Sequence, residues 1–373
     1  LCEFIKTFVS FTSLSRINKI SLAQFRNYSS ANHGFIAPVT CITGPNGSGK
    51  TNLLDAVYYL CYTKSYFTAY QQNCVQNGTD GFRVTGIFNA ANGKEETISC
   101  KWKDGKKELS RNNVEYEKIT DHIGLYSAVM IAPDDIELIN GGSELRRKWV
   151  DSILSQADKS YLEKLMHYQR ILLQRNAWLK NQNTKPSGNT TELEYYNAQL
   201  AVDGTYIYEA RKTFLGHFLP LLSDFYHRLS DGNEAIQVIY NSHLQEKPLL
   251  YWLEQGLEHD LRYQRTLRGI HKDDWDFKLN EMVLKQFGSQ GQKKSFLFAI
   301  KLAQYAYLSN VLGHLPILLL DDIFEKLDQN RMEALLRIIK GKGFGQVILT
   351  DTHPERIKNA FGAEAEIGFI YLS

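Results

Sequence analysis

One octapeptide constrains this chain more than any other feature: Gly44-Pro45-Asn46-Gly47-Ser48-Gly49-Lys50-Thr51, a complete Gly-x-x-x-x-Gly-Lys-[Ser/Thr] pattern. Its neighbours agree with it. Val39-Thr-Cys-Ile-Thr43 reads as a short apolar strand, and Leu53, Leu54, Val57, Leu60 and Cys61 recur at helical spacing after the loop. In a strand, glycine-rich loop and helix, backbone N–H groups and a helix N-terminus converge on phosphate oxygens. The pattern therefore assigns Gly44, Pro45, Asn46, Gly47, Ser48 and Gly49 to a phosphate cradle, Lys50 to the β- and γ-phosphates of ATP, and the Thr51 hydroxyl to Mg²⁺.

Such a loop needs an acidic partner at the end of a second strand. Ile317-Leu-Leu-Leu-Asp321-Asp322 supplies it, with Asp321 the expected Mg²⁺ holder and Asp322 the group to orient or deprotonate an attacking water. Thr51 and Asp321 are 270 positions apart, too far for one compact nucleotide-binding domain, so a large insertion is implied.

The insertion reads as helical. Trp149, Ile153, Leu154, Tyr161, Leu165, Tyr168, Leu172 and Leu179 recur near a 3.6-residue period, and a loop follows through Pro186 and Gly188. A second helical pattern covers Leu193 to about Leu229, with a break expected near Pro220. Before the insertion, Ile17–Leu22 and Val39–Thr43 are expected strands separated by polar turn material, and alternation over 81–102 predicts an antiparallel meander. After it, a helix over 293–310, a strand over 315–320, a helix over 328–340 and a strand over 346–350 argue for an α/β sheet that carries the nucleotide at its strand ends. The expected organisation is an extension over 1–15, one lobe from 16–122 plus 305–373, and a helical lobe over 123–304.

Composition narrows the surroundings. No apolar run approaches the roughly 18 residues of a membrane span, which predicts no membrane association. The five cysteines, at 2, 41, 61, 74 and 100, form no metal-spaced set, which fits a reducing cytoplasm. A net charge of +2 means that any nucleic-acid surface must be a local patch. The densest basic run is Arg146-Arg147-Lys148, and Lys101, Lys103, Lys106, Lys107 and Arg111 form a looser stripe. Both are candidates for DNA phosphate contact, Arg146, Arg147, Lys148, Lys101 and Lys103 foremost; a solvated helix start is the plain alternative for the first.

Phe287-Gly-Ser289-Gln-Gly291-Gln292-Lys-Lys294-Ser, shortly before the acidic strand, resembles the signature of ABC ATPases. Within that class the chain is similar to the RecF family from about residue 17 onward. The similarity is carried by Phe25-Arg26-Asn27-Tyr28, Asn52-Leu-Leu-Asp-Ala-Val-Tyr-Tyr59, Ala132-Pro-Asp-Asp135, Gly142-Ser-x-x-Arg146-Arg147-x-x-x-Asp151, Tyr168-Gln-Arg-Ile-Leu-Leu-Gln-Arg-Asn176 and Gly269-Ile-His271-Lys-Asp273-Asp274. The chain departs from the family in Ile270 and Lys272, where proline and arginine are usual, and in lysine after the signature, which cannot make arginine's bidentate phosphate contact.

The resemblance implies an α/β fold: an ABC-type P-loop ATPase head with an antiparallel β subdomain and an inserted helical lobe, without a long coiled coil. It implies an ATP-dependent homodimer in which Ser289, Gly291 and Gln292 face the nucleotide of the partner, and slow hydrolysis through Lys50, Asp321, Asp322 and Ser289. It further implies that Arg26 and Asn27 touch the nucleotide, that Asp134 couples the lobes, and that Leu327 and Asp328 face the dimer. Asp351, Thr352 and His353 lie where a switch residue is placed, with the register open. DNA near single-strand gaps, with RecR and RecO, would be its partners in recombinational repair and replication maintenance. Another SMC-like DNA-maintenance or defence ATPase, a transporter subunit and a non-hydrolysing clamp are the alternatives.

Overall fold

The structure, a computed structural model, describes residues 16–89, 93–182, 190–230, 234–323, 328–341, 343–362 and 366–373. The expected extension over 1–15, the loop at Pro186 and Gly188, and Leu327 lie outside the described residues. Two compact units result: Leu1–Asp135 with Asp224–Asp231 and Lys294–Ser373, and Ile136–Ser223 with Gly232–Lys293.

The first unit holds two sheets. Five parallel strands lie in the order Ile367–Tyr371, Val39–Thr43, Val347–Asp351, Ile317–Leu320, Ala128–Ile131. Ile317–Leu320 and Ala128–Ile131 are buried at every position, as expected of strands covered on both faces. The pairing of Ala128–Ile131 with Ile317–Leu320 carries this unit past residue 122, the expected end of its first part, as far as Asp135.

The second sheet is antiparallel, in the order Tyr28–Gly34, Arg16–Phe25, Gly81–Asn89, Glu95–Lys103, Lys106–Arg111, Val114–Glu115. Its first two strands form a hairpin, so the segment expected to be turn material is itself largely a strand; only Arg26 and Asn27 turn the chain, between paired Phe25 and Tyr28. Exposed Ser29 and Ser30 leave that strand without the apolar alternation that announces one.

The helix Lys50–Tyr62 is hydrophobic nearly all round, and only Thr51 and Asn52 of its residues escape full burial. Leu53, Val57 and Leu60 share one core with Ile20 and Val84 of the antiparallel sheet and Leu319 and Ile348 of the parallel one.

The second unit combines the helices Ser143–Ala157, Lys159–Lys180, Leu249–Gln255 and Leu257–Tyr263 and most of Thr191–Leu229 with a three-stranded antiparallel sheet ordered Met282–Val283, Asp274–Leu279, Ile236–Asn241. The expectation of a purely helical insertion missed that sheet. Pro220 also fails to break its helix, which runs unbroken for 39 residues. The carbonyl that a proline ring crowds belongs to the residue four positions earlier, here exposed Gly216.

Candidate nucleotide site

Parallel register brings the C-terminal ends of three strands together: Thr43 lies beside Asp351, and Leu320 beside Leu349. The phosphate loop leaves the first, Thr350 is the penultimate residue of the second and Asp321 follows the third. This edge of an open α/β sheet is where ligands bind.

Thr51 and Asp321, far apart in sequence, meet there. The Thr51 hydroxyl reaches both Asp321 oxygens at 2.9 and 3.1 Å, and the Thr350 hydroxyl donates to Asp321 Oδ1 at 2.9 Å. Burial pushes the Asp321 carboxyl up to about 6, with the neighbouring charge of Asp322 acting the same way, while the two hydroxyls and Lys50 pull it down. A buried carboxylate supported by neutral hydroxyls is suited to a divalent cation. Asp322, at φ +45°, donates its backbone N–H to Thr350 Oγ1 at 2.8 Å. Thr350 thus bridges the acidic pair, a role without a signal in the sequence.

Lys50 is buried, its Nζ donating to the carbonyls of Gly44 at 2.8 Å and Pro45 at 3.1 Å. Ser48 Oγ is buried in the loop with no hydrogen-bond partner, an orphan of the kind that a bound oxyanion satisfies. Phosphate, Mg²⁺ and this donor set fit.

The loop is braced from outside. Tyr28 donates its hydroxyl to Gly49 O at 3.0 Å, Asn27 Nδ2 approaches Ser48 O at 3.3 Å, and Asn52 Nδ2 donates to Asn27 Oδ1 at 2.8 Å. Gly49 sits at φ +101°, and a Cβ there would lie 2.6 Å from Asn27 Nδ2, so only glycine fits between loop and brace.

Arg26 is placed differently from the expectation. Its guanidinium grips Asp55 Oδ2 at 2.6 and 3.1 Å and Ser65 Oγ at 2.9 Å. Asp55 is fully buried one turn along the helix from Thr51 and also accepts from Ser65 Oγ and Tyr66 N. A buried carboxylate claims the nearest cation, so Arg26 fixes the helix behind the loop. Asp134 is likewise exposed, whereas Asp135 accepts from Ala132 N at 2.8 Å and Tyr66 Oη and pairs with buried Lys301 at 3.1 Å. Asp351 is buried against Arg356 at 2.8 Å and the N–H of His353. Asp328 caps the helix Gln329–Ile339 through Arg331 N.

Ser289 heads the helix Gln290–Leu312 in a reciprocal capping box: Gln292 N donates to Ser289 Oγ at 3.1 Å, and Ser289 N donates to Gln292 Oε1 at 2.7 Å. Gln292 also holds Glu234. Gly291 lies in the first turn, and Ser289 is exposed.

The family described as RecF/RecN/SMC N terminal domain matches residues 16–369. DNA replication and repair protein RecF of Flavobacterium johnsoniae is 43% identical over 341 residues, 91% of this chain and 95% of its own length. The chain belongs to the RecF family. RecF of Bacteroides thetaiotaomicron is 39% identical over 94% of this chain and 95% of its own length. A solved structure of the recombination mediator protein RecF with ATP in the RecFOR pathway covers 98% of each chain at 28% identity, with a TM-score of 0.86. An Smc head domain from Pyrococcus furiosus, 17% identical with a TM-score of 0.57 over 96% of this chain, shares the fold. The fold is thus a P-loop ATPase head with mixed sheets and helical insertions. Among the described residues, no helix is long and apolar enough to cross a membrane.

The basic candidates divide sharply in this RecF-family chain. Arg146 is buried, forks onto Asp274 at 2.7 and 3.0 Å and donates to Leu138 O and Gly141 O. It belongs to the interior and is withdrawn as a DNA contact. Arg147 is half-buried and donates to Asp273 O at 2.7 Å. Lys148 pairs with Glu144, Lys101 with Glu108 at 3.0 Å and Lys103 with Asp80 at 3.1 Å, all on the surface.

Proposed function

We propose that this chain is an ATP-dependent DNA-binding protein of recombinational repair that binds ATP with Mg²⁺, closes with a second copy around the nucleotide, and hydrolyses it slowly to reopen. RecR and RecO are its expected partners at gapped DNA in the cytoplasm. The observation that carries the reading is the meeting of Thr51, Thr350 and Asp321 at the sheet edge beside Lys50.

In this reading the loop amides, Ser48 Oγ and Lys50 Nζ hold the phosphates, while Thr51 and Asp321 hold Mg²⁺, which supplies charge neutralisation when bound. Asp322 takes a proton at a carboxylate oxygen from the attacking water. Arg26, Asn27 and Tyr28 act by fixing the loop and its helix. Ser289 Oγ accepts from Gln292 N, which leaves its own hydroxyl hydrogen for the γ-phosphate held by the other copy, with Gly291 and the helix N-terminus supporting the same charge.

Sedimentation with ATP and Mg²⁺, with and without a gapped duplex, tests this for the wild type and Ser289→Arg. A wild-type shift from monomer to dimer that DNA strengthens and Ser289→Arg lacks is expected. A wild type that stays monomeric, or that dimerises identically without ATP, defeats the reading.

A further inference from the structure

The basic side chains of the second unit differ in how their charge is matched. Arg146, Arg175 and Arg211 are buried, each on a carboxylate: Asp274, Asp260, and Asp151 with Asp273. Arg147, Arg265 and Lys272 have no ion pair among the described residues, and Arg265 and Lys272 are exposed.

These three cations stand on a pinned backbone. Arg265 N donates to Asp260 O at 3.1 Å, Thr266 N and Oγ1 both donate to Asn176 Oδ1 at 2.8 Å, and Leu267 N donates to Asp260 Oδ1 at 2.9 Å. Further along, Arg211 holds Ile270 O at 2.9 Å, and His271 is fixed between Tyr168 Oη at 2.9 Å and Thr266 O at 3.0 Å. Arg147 is tied to the same segment through Asp273 O.

The backbone that carries Arg265 and Lys272 is held, so their side chains leave from fixed points. Lys272 is drawn below the ordinary lysine range by partial desolvation and then by the charges of Arg265 and Arg147, against Asp260, which acts the other way. Retained repulsion of this kind is relieved by an anion. The neighbouring indole of Trp252 is covered by the Arg268 guanidinium at 4.9 Å, which leaves that ring face no room for base stacking and favours backbone over base recognition.

We propose that Arg147, Arg265 and Lys272 form a binding site for the phosphates of a DNA backbone. The assignment rests on the DNA-binding reading above and locates it in the segment that joins the helix Leu257–Tyr263 to the strand Asp274–Leu279.

Fluorescence anisotropy of the full chain on a short duplex, with ATP and Mg²⁺ across a salt series, tests it. Each phosphate contact contributes about 0.9 to the slope of log K against log salt, so Arg265→Ala/Lys272→Ala is expected to flatten the slope by about 2 and leave the urea midpoint unchanged. Arg265→Lys/Lys272→Arg is expected to keep the slope. An unchanged slope in the alanine variant, an equal loss in the charge-preserving one, or a wild type that does not bind duplex overturns the assignment. Inorganic tripolyphosphate is expected to displace DNA no better than simple salt of equal ionic strength; displacement far below that level marks a free-polyanion site and also overturns it. ATP-driven dimerisation is followed on the same samples. Its absence in the wild type defeats the clamp reading, while the slope comparison still decides this site.

Discussion

Arg146→Ala separates a charge that holds the fold from one that meets DNA. The Arg146 side chain is 9% exposed and forks onto Asp274, itself 29% exposed. Removing one member of a buried pair costs about 3–5 kcal/mol, because the survivor is left charged and unpaired. Water reaching Asp274 moves the figure to the lower end. Two carbonyls also lose a donor, but Gly141 O keeps Lys285 Nζ at 3.2 Å, so only Leu138 O is newly deprived, at about 1 kcal/mol. The sum is about 4 kcal/mol, read as a lower urea midpoint at unchanged m-value. Asp274→Ala combined with Arg146→Ala should cost less than the two single losses added, since the pair disappears together. On protein held well below its unfolding midpoint, the salt slope of DNA binding should match the wild type. A stability loss under about 1 kcal/mol together with a slope reduced by about 0.9 would refute the reasoning and return Arg146 to the DNA surface.

Two further predictions concern the first unit. His122 is fully buried, with Nε2 2.6 Å from Leu60 O and Nδ1 3.2 Å from Tyr116 Oη, and burial takes it down to about 4. Below the ordinary 6.5 the unfolded chain takes up a proton that the folded one refuses, so stability present above pH 6.5 is lost as pH falls toward 4, by about 3 kcal/mol in all. His122→Gln should flatten that stretch of the stability profile, and an NMR midpoint near 6.5 for the wild-type ring would sink the argument. Gly49→Ala forces a Cβ against Asn27 and Tyr28 at φ +101°. ATP affinity by a fluorescent analogue should fall by about tenfold or more, equivalent to at least about 1.4 kcal/mol; unchanged affinity means that the loop tolerates the methyl.

The elements that were legible in the sequence are those where local pattern and final burial coincide. Ile317–Leu320 shows its burial as an uninterrupted apolar run, Val39–Thr43 and the helix after Lys50 as mainly apolar ones, and the loop between the latter two carries its chemistry in consecutive residues. The strand Tyr28–Gly34 was hidden because its register is set by pairing with Arg16–Phe25 rather than by its own alternation. The sheet of the second unit was hidden for a similar reason: Ile236–Asn241 buries only Tyr240 fully. Side-chain destinations were least legible. Adjacent Arg146 and Arg147 look alike in sequence, yet at about 100° per helical residue one faces the interior and its neighbour does not. Arg26 looked like a phosphate ligand because nothing local shows that Asp55 lies buried beneath it.

Several carboxylates withdrawn from solvent in both units follow one rule, from which Asp321 at the nucleotide site is excepted. Asp55, Asp135, Asp260 and Asp273 each capture a basic side chain from a distant segment: Arg26, Lys301, Arg175 and Arg211. Each capture offsets a desolvation cost that neither partner could bear alone, and each ties a family motif to a helix: Phe25–Tyr28 to the helix after the phosphate loop, Ala132–Asp135 to the helix that Ser289 heads, Tyr168–Asn176 to Leu257–Tyr263, and Gly269–Asp274 to Thr191–Leu229. Motif residues of this kind are held by packing, so their charge says little about ligands. The informative cations are among those left over once these acids are matched. In the first unit Lys50 is one of these, its Nζ held by neutral loop carbonyls; in the second Arg147, Arg265 and Lys272 are among them. A chain of net charge +2 thereby keeps two separate sets of cations for two kinds of phosphate.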